Sequence, residues 1–268
     1  MVELFSRDIR DDGRQSSKGN QLKWETDGIW YKADYMGYEG LSEYVVSELL
    51  KLSTLRDEEF VSYSTEQIHY KLNVYTGCKS PDYSGSWQTI TLERLFKKLY
   101  GRSLNRDIYS IEDTEDRLKY LTEQVERVTG IKDFGVYVCK LFVVDALFLN
   151  EDRHTHNISV LMNSSGEYRL CPIYDNGAAL LSDTQMDYPM GADIYQLIKT
   201  VKAKTICDSF DDQLDAAEKM YGRRLSFSFG EKDVRKILAG TDIYAEDIKE
   251  RVLQIILEQR RKYAYLFD

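Results

Sequence analysis

The sequence predicts an α+β protein with two lobes, of which the first is small and rich in β-strands and the second is larger and helical. Up to about residue 86, short alternating and β-branched runs are separated by turn residues, which is typical of strands. From Thr91 onward, apolar residues recur at the spacing of helix faces. We therefore assign residues 1–86 to an N-terminal lobe and residues 87–268 to a C-terminal lobe.

Composition and charge exclude several classes of protein. The 268 residues are 43% apolar and 30% charged, which is the balance of a soluble globular protein. A net charge of −9 gives the chain no general attraction to phosphate backbones, so nucleic acid is not an expected partner. The most apolar stretch, residues 134–149, contains Lys140 and Asp145 and is too short to span a bilayer.

The beginning of the chain lacks the basic-then-apolar pattern of a signal peptide. We therefore expect a cytoplasmic protein, with specialised secretion as the open alternative. The 4 cysteines are scattered and show none of the paired spacing of a structural zinc site. Free thiols in an intracellular protein are the simplest interpretation.

The N-terminal lobe is expected to begin with a hairpin that is followed by a helix. Residues 21–24 and 28–32 alternate around a Glu-Thr-Asp-Gly turn, which favours a hairpin. Gly40 and Ser42 precede an apolar stripe, so we predict that a helix begins there with Ser42 as its N-cap. Further strands are predicted at residues 60–63 and 68–75, and a loop is predicted at residues 77–86.

The C-terminal lobe is predicted to consist of amphipathic helices around one buried helix. Residues 92–99 and 118–128 carry apolar side chains at helical spacing, and Gly130 is a natural residue to end the second of these helices. Residues 134–149 are apolar nearly all round, which predicts a central helix that is buried on all sides. A last amphipathic helix is predicted between residues 248 and 263.

A polar segment directly after the buried helix concentrates groups that can carry chemistry. Residues 150–157 hold two of the 3 histidines together with Asp152 and Asn157. A hairpin pattern follows, and its return strand leads to Asp175. Because a hairpin brings its two ends together, we expect Asp152, Asn157 and Asp175 to meet in space. Carboxylate and amide oxygens suit Mg²⁺ and the phosphates it binds.

The spacing within this segment is typical of a phosphoryl-transfer site. Asp152 and Asn157 have the Asp-x4-Asn spacing of a kinase catalytic loop, in which the Asp accepts the proton of the acceptor hydroxyl. Asp175, followed by Asn176 and Gly177, lies where a metal-binding Asp-Phe-Gly motif would be. Each motif alone is also typical of a turn or a cap, but the two in this order, with a hairpin between them, favour catalysis.

These residues resemble the catalytic segment of the HipA-like kinases, relatives of the protein-kinase fold that include bacterial toxin kinases. Asn150, Asp152, His154 and Asn157 match the family pattern Asn-x-Asp-x-His-x-x-Asn, and Asp175 matches its metal-binding Asp. The resemblance implies a two-lobed protein-kinase-like fold that binds ATP and Mg²⁺ in the cleft between the lobes. It also implies that Asp152, His154 and Asn157 act in catalysis and that Asn157 and Asp175 hold the metal.

In the N-terminal lobe, the resemblance implies a site for the nucleotide phosphates. Lys32 stands at the position of the ATP-binding lysine, with Glu43 as its expected ion-pair partner and Glu48 as the rival. Residues 13–20 precede the hairpin at the place of a phosphate-covering loop. The residues of that loop expected to face the nucleotide are Ser16, Ser17 and Lys18, and a serine there is a candidate for autophosphorylation.

The expected function is transfer of the γ-phosphoryl group of ATP to a Ser or Thr hydroxyl of a protein, with a regulatory protein as a further candidate partner. One alternative is a phosphoinositide or small-molecule kinase, because Asp152-Arg153-His154 also resembles the catalytic loop of phosphoinositide kinases. Another is a binding module that holds nucleotide without turnover. A hydrolase in which His154, His156 and Asp152 bind a transition metal is a more distant alternative, since no third His or Cys cluster supports it.

The longer toxin kinases of this family carry an additional N-terminal subdomain, for which we expect no room in this chain. The motifs therefore do not imply that this chain is a toxin or that it pairs with an antitoxin, and that question stays open.

Overall fold

The computed structural model describes residues 1–10 and 21–267 and confirms the α+β class. The chain packs into two compact units, each assembled from separate stretches. The first unit consists of Met1–Tyr83, Tyr174–Val201 and Ser226–Asp268, and the second consists of Ser84–Ile173 and Lys202–Leu225. The two lobes proposed from the sequence are continuous stretches, whereas each of these units combines separate stretches. The division into residues 1–86 and 87–268 therefore stays a prediction.

Strands dominate the early part of the described chain, and helices dominate the rest. The strands are β1 (Val2–Leu4), β2 (Lys23–Thr26), β3 (Ile29–Ala33), β4 (Ser64–Tyr70), β5 (Asn73–Pro81), β6 (Gln88–Thr91), β7 (Ser159–Met162) and β8 (Tyr168–Leu170). The helices are α1 (Glu39–Leu50), α2 (Leu92–Tyr100), α3 (Leu104–Tyr109), α4 (Thr114–Thr129), α5 (Phe134–Phe148), α6 (Ile194–Thr200), α7 (Phe210–Tyr221), α8 (Glu231–Ala239) and α9 (Glu246–Lys262).

The first unit contains a five-stranded sheet in the order β1-β4-β5-β3-β2. β1 pairs with β4 in parallel, and the other neighbouring strands pair antiparallel. β2 and β3 form the predicted hairpin, and its turn residues Asp27 and Gly28 have φ angles of 51° and 72°, as a tight Asp-Gly turn requires. The sheet carries a buried core formed by Leu4, Trp24, Tyr31, Ala33, Ile68 and Tyr70.

Two of the predicted strands differ from the structure. Residues 60–63 form no strand, and the strand predicted at residues 68–75 is divided by a tight turn between β4 and β5. Lys71 makes that turn with a φ of 56°, and lysine is not among the residues that signal a turn. β5 extends to Pro81, so the first part of the loop predicted at residues 77–86 is a strand.

Helix α1 has Tyr38 as its N-cap, so the prediction that Ser42 caps this helix is wrong. The carboxylate of Glu39 accepts hydrogen bonds from the backbone N–H groups of residues 35–37, which ties the incoming turn to the start of the helix. The side chain that accepts from a first-turn N–H of the helix is Asp34, whose Oδ1 lies 2.5 Å from the backbone nitrogen of Gly40. Ser42 instead lies inside the helix and is buried.

The backbone of α1 lies directly against the backbone of β5. A Cβ atom at Gly40 would lie 2.5 Å from the carbonyl carbon of Gly77, so only glycine fits where the helix crosses the strand. The predicted apolar stripe of the helix is buried and consists of Leu41, Val45 and Leu49.

The second unit is built around α5, which confirms the prediction of a buried helix. All of its residues except Val136 and Lys140 are buried. α4 ends as predicted at Gly130, whose φ of 75° is the left-handed conformation that ends many helices. β6, β7 and β8 form an antiparallel sheet that includes the predicted hairpin. In residues 1–10 and 21–267, no helix combines the length and apolarity needed to cross a membrane.

Candidate active site

The first unit brings the predicted phosphate-binding lysine to two carboxylates. Lys32 lies on β3, Glu43 lies on α1, and Asp175 lies at the start of the stretch that returns to this unit. The Nζ atom of Lys32 is 2.5 Å from Oε1 of Glu43 and 2.8 Å from Oδ1 of Asp175. The rival Glu48 forms an ion pair with Lys51 instead. The structure therefore joins three of the residues assigned from the sequence to phosphate and metal binding.

Burial and neighbouring charges act in opposite directions on Lys32. Its side chain is 12% exposed, and the loss of solvent alone would favour the neutral amine. The carboxylates of Asp175 and Glu43 outweigh that effect, so the pKa of Lys32 lies well above its ordinary value. The ring of Tyr63 adds a cation–π contact, with its centroid 5.4 Å from Nζ. Lys32 is therefore a fixed and fully charged cation at neutral pH.

Helix α1 also fixes the chain immediately after Asp175. The second carboxylate oxygen of Glu43 accepts a hydrogen bond from the backbone N–H of Asn176 at 2.8 Å. The hydroxyl of Ser42 lies 2.8 Å from the carbonyl oxygen of Asn176 and 3.0 Å from that of Ala179. Asp175 has a φ of 63°, a left-handed conformation that Asp tolerates better than most residues. The helix thus positions both partners of Lys32.

The second unit holds the other predicted residues in the loop that follows α5. Nδ2 of Asn157 donates hydrogen bonds to the backbone oxygen of Asp152 at 2.8 Å and to its Oδ2 at 2.9 Å. Both amide hydrogens are used in this way, so Oδ1 is the atom of Asn157 that can receive a cation. The side chain of Asp152 is 14% exposed and is oriented by the amide of Asn157.

Buried polar groups that were not assigned from the sequence hold this loop. Arg153 is 2% exposed, and its Nε lies 3.1 Å from Oδ1 of the fully buried Asp145 on α5. Burial raises the pKa of Asp145 to about 6, and Arg153 opposes that shift. The hydroxyl of Thr155 donates to Oε2 of the buried Glu93 at 3.0 Å. In the sequence, the signal for this network is the charged Asp145 within the apolar residues 134–149, because a buried charge requires a partner.

His154 has the environment of a neutral imidazole. Its Nε2 lies 3.6 Å from Oδ1 of Asp152, and its buried Nδ1 has no hydrogen-bond partner among the described residues. Burial lowers the pKa of His154, while the carboxylate of Asp152 opposes that effect. The ring of His156 packs edge-on against it at a centroid distance of 5.3 Å. His154 can therefore accept or pass on a proton beside Asp152 at neutral pH.

The donor chemistry of the described residues fits Mg²⁺ better than a transition metal. Asp175 of the first unit offers a carboxylate, and Asn157 of the second unit offers the amide oxygen described above; each by itself is the kind of hard oxygen ligand that Mg²⁺ prefers. Across residues 1–10 and 21–267, no three His, Cys, Asp or Glu side chains are grouped as a metal site would require. His154 and His156 therefore have no third ligand of these types within the described chain.

The predicted phosphate-covering loop lies outside the described residues. Ser16, Ser17 and Lys18 fall within residues 11–20, so their assigned contacts with nucleotide stay predictions. Among the residues predicted to bind phosphate, those that the structure describes are Lys32 and the two carboxylates around it.

The fold is kinase-like, as comparison with a solved structure shows. The chain is similar to the Helicobacter pylori proinflammatory kinase CtkA, with a TM-score of 0.62 and 18% identity over 97% of this chain and 94% of that one. A chain of the Shewanella oneidensis MR-1 complex of HipA, HipB and operator DNA matches with a TM-score of 0.46 and 12% identity, over 95% of this chain and 62% of that one. No family model and no curated protein matches the sequence.

Proposed function

We propose that this protein is an ATP- and Mg²⁺-dependent kinase that transfers the γ-phosphoryl group to a Ser or Thr hydroxyl of a protein. The observation that carries the proposal is the cluster in which Lys32 lies between Glu43 and Asp175. A lysine on a strand, paired with a glutamate of the following helix and adjacent to a metal-binding Asp, is the arrangement that protein kinases use for the ATP phosphates.

In this proposal, each side chain has a chemical role. The charged Nζ of Lys32 neutralises phosphate oxygens of ATP, and Glu43 keeps that cation in place. Asp175 of the first unit and the side-chain oxygen of Asn157 of the second are each proposed as ligands that would hold Mg²⁺, and that ion would supply positive charge to the transferred phosphoryl group. The Lys32 amine has two carboxylate partners. When Asp175 turns from the lysine to a metal ion, the lysine therefore stays paired with Glu43.

Asp152 is the proposed acceptor of the proton from the attacking hydroxyl. Its carboxylate is oriented by Asn157, and the loop around it is fixed by the buried contacts of Arg153 and Thr155. A rigid base lowers the barrier mainly because it holds the hydroxyl in line with the phosphoryl group. His154, which lies beside Asp152, orients that carboxylate or contacts the transferred group.

The acceptor is proposed from the resemblance to HipA-like kinases, which favours a protein hydroxyl. The lipid alternative depended on the Asp-Arg-His sequence, but Arg153 is 2% exposed and hydrogen-bonds Asp145. A side chain engaged in this way gives a phosphoinositide headgroup no separate cation, so the motif lends the lipid alternative little support. The Shewanella structure holds HipA together with HipB, and a regulatory protein is a further candidate partner of this chain.

The test is intact-mass spectrometry of the whole protein before and after incubation with Mg·ATP, together with transfer of labelled phosphate to a panel of proteins and to phosphoinositide vesicles. We expect phosphate on Ser or Thr with the wild type and with Asp208→Asn, an exposed aspartate paired with Lys202. Asp152→Asn and Asp175→Asn should transfer none. Label on vesicles alone would replace the protein acceptor by a lipid, and ATP binding without any transfer would identify a binding module.

A further inference from the structure

The chain that follows Asp175 is hydrogen-bonded at several points to helix α1 and to the residues just before it. We call residues 176–189 the post-Asp175 segment. Beyond the contacts of Glu43 and Ser42 with its first residues, the backbone N–H of Tyr38 donates to the carbonyl of Ser182 at 3.2 Å. The N–H groups of Thr184 and Gln185 both donate to the carbonyl of Met36 at 3.1 Å. The segment and the start of the helix therefore form one hydrogen-bonded layer.

A buried arginine of α9 also hydrogen-bonds to this layer. Arg251 is 4% exposed, and its Nη2 and Nη1 donate to the carbonyls of Tyr188 at 2.9 Å and Pro189 at 3.3 Å. Its Nε donates to the hydroxyl of Tyr38 at 3.2 Å, and that hydroxyl donates to the carbonyl of Leu180 at 2.7 Å. One guanidinium thus joins the far end of the post-Asp175 segment to the N-cap of the helix that carries Glu43.

The partners of Arg251 are unusual for a buried cation. Among the described residues, no carboxylate lies within ion-pair distance of it, and its side-chain hydrogen bonds go to two carbonyls and one hydroxyl. Burying an arginine in this way costs free energy unless its donors are matched by well-placed acceptors. The acceptors here are backbone atoms of the segment, so the charge stabilises one particular path of that backbone.

The post-Asp175 segment also lacks an exposed hydroxyl. Ser182 and Tyr188 are buried, and Thr184 is half-buried. In kinases that are switched on by phosphorylation, the corresponding segment is ordered when an arginine pairs with a new phosphate. Here an arginine already holds the segment through carbonyl oxygens.

We propose that Arg251 is a positioning residue that assembles the cluster of Lys32, Glu43 and Asp175 in the first unit without phosphorylation of the post-Asp175 segment. This inference rests on the proposed kinase function. Arg251 acts through Tyr38 and the segment, which fix α1 and the backbone at Asp175, and through them the two carboxylates around Lys32. A displacement of about 1 Å at such a site lowers a reaction rate by roughly 10²-fold.

The test compares Arg251→Met with Arg260→Met in the full-length protein. Arg260 is a matched control, because it lies on the same helix and its Nε also donates to a backbone carbonyl, that of Phe229. We expect Arg251→Met to lower kcat by roughly 10²-fold and to raise KM for Mg·ATP. Arg260→Met and Thr184→Val should keep kcat and KM near the wild-type values. Hydrogen exchange of the amides at residues 176–189 should accelerate only in Arg251→Met.

The outcomes separate this inference from the proposed function. Equal losses of activity in Arg251→Met and Arg260→Met, or unchanged exchange of the segment, would overturn the positioning role. Loss of activity in Thr184→Val would point to a phosphorylated segment instead. If the wild type transfers no phosphate at all, the kinase proposal fails, while the exchange data still decide whether Arg251 holds the segment. Tyr38→Phe, which removes one hydroxyl, serves if Arg251→Met does not fold, and should produce the same pattern more weakly.

Discussion

Lys32 and Asp175 are 143 positions apart in the sequence, yet Nζ of the lysine donates a hydrogen bond of 2.8 Å to Oδ1 of the aspartate. The lysine belongs to a strand of the sheet, and the aspartate opens a stretch that rejoins the same unit after a long excursion of the chain. Because both residues are held by α1, the geometry of this pair depends on the helix. Changes at the pair and changes at the helix should therefore have related effects.

The first prediction concerns the charge of Lys32. Lys32→Met should abolish ATP binding and lower the free energy of unfolding by about 3 kcal/mol, because two carboxylates then face each other without the cation between them. Thermal shift with Mg·ATP and urea denaturation measure the two effects. Lys79→Met on β5 is the control, since its pair with Glu66 is more exposed and should contribute at most about 1 kcal/mol. Equal stability losses in the two variants would contradict the buried cluster.

The second prediction concerns Asn157, whose side-chain oxygen is assigned to Mg²⁺. Asn157→Ala should lower the transfer rate on the order of 10²-fold and raise the Mg²⁺ concentration needed for half-maximal rate. Rates measured across a Mg²⁺ titration at saturating ATP test this. Asn163→Ala, in the exposed turn between β7 and β8, is the control and should leave the titration unchanged. A lower rate with an unaltered Mg²⁺ requirement would remove Asn157 from the metal site.

The third prediction follows from the lowered pKa of His154. A histidine whose folded-state pKa is below its unfolded value binds fewer protons when folded, so it lowers stability as the pH falls below about 6.5. Between about pH 7.5 and about pH 5.5, the wild type should therefore lose more stability than His154→Gln. Denaturation of both proteins at the two pH values measures the difference. Parallel behaviour of His154→Gln and wild type would show that the imidazole protonates freely.

The fourth prediction concerns the buried pair of Arg153 and Asp145. Asp145→Asn should lower the free energy of unfolding by about 3–5 kcal/mol at neutral pH, because a guanidinium that is 2% exposed loses its carboxylate. Arg153→Met leaves the carboxylate instead. Since the pKa of Asp145 is already raised to about 6, this carboxylate protonates as the pH falls. The free energy of unfolding that Arg153→Met removes should therefore be smaller near pH 5 than near pH 8. A loss independent of pH would mean that Asp145 stays charged.

The elements that could be predicted from the sequence are those with a strong local pattern. The hairpin of β2 and β3 follows from an Asp-Gly turn, the buried helix α5 follows from its apolar sequence, and the hairpin of β7 and β8 follows from alternation around a turn. The division between β4 and β5 was missed, because Lys71 makes a turn that its residue type does not signal. Ser42 was misassigned as a cap, because its hydroxyl serves carbonyls more than 130 positions away.

The candidate site divides in the same way. The contact of Asp152 with Asn157 follows from their short spacing within one loop, and the pairing of Lys32 with Glu43 was expected from the resemblance to HipA-like kinases. The roles assigned to Asp152, Asn157 and Asp175 stay predictions. Arg251 had no local signal, since its partner Tyr38 lies 213 positions away and its other acceptors are backbone carbonyls. Contacts of this kind depend on the packed structure and leave no pattern in neighbouring residues.

The crossing of Gly40 over Gly77 has a mechanical consequence. Because the two backbones are in contact, α1 cannot move closer to β5. A methyl group added at Gly40 would push the helix away from the strand. Glu43 lies about one helical turn after Gly40, so a side chain at residue 40 would displace the carboxylate of Glu43 from Lys32. The absence of a side chain at one position therefore sets the alignment of a charge that lies several ångströms away.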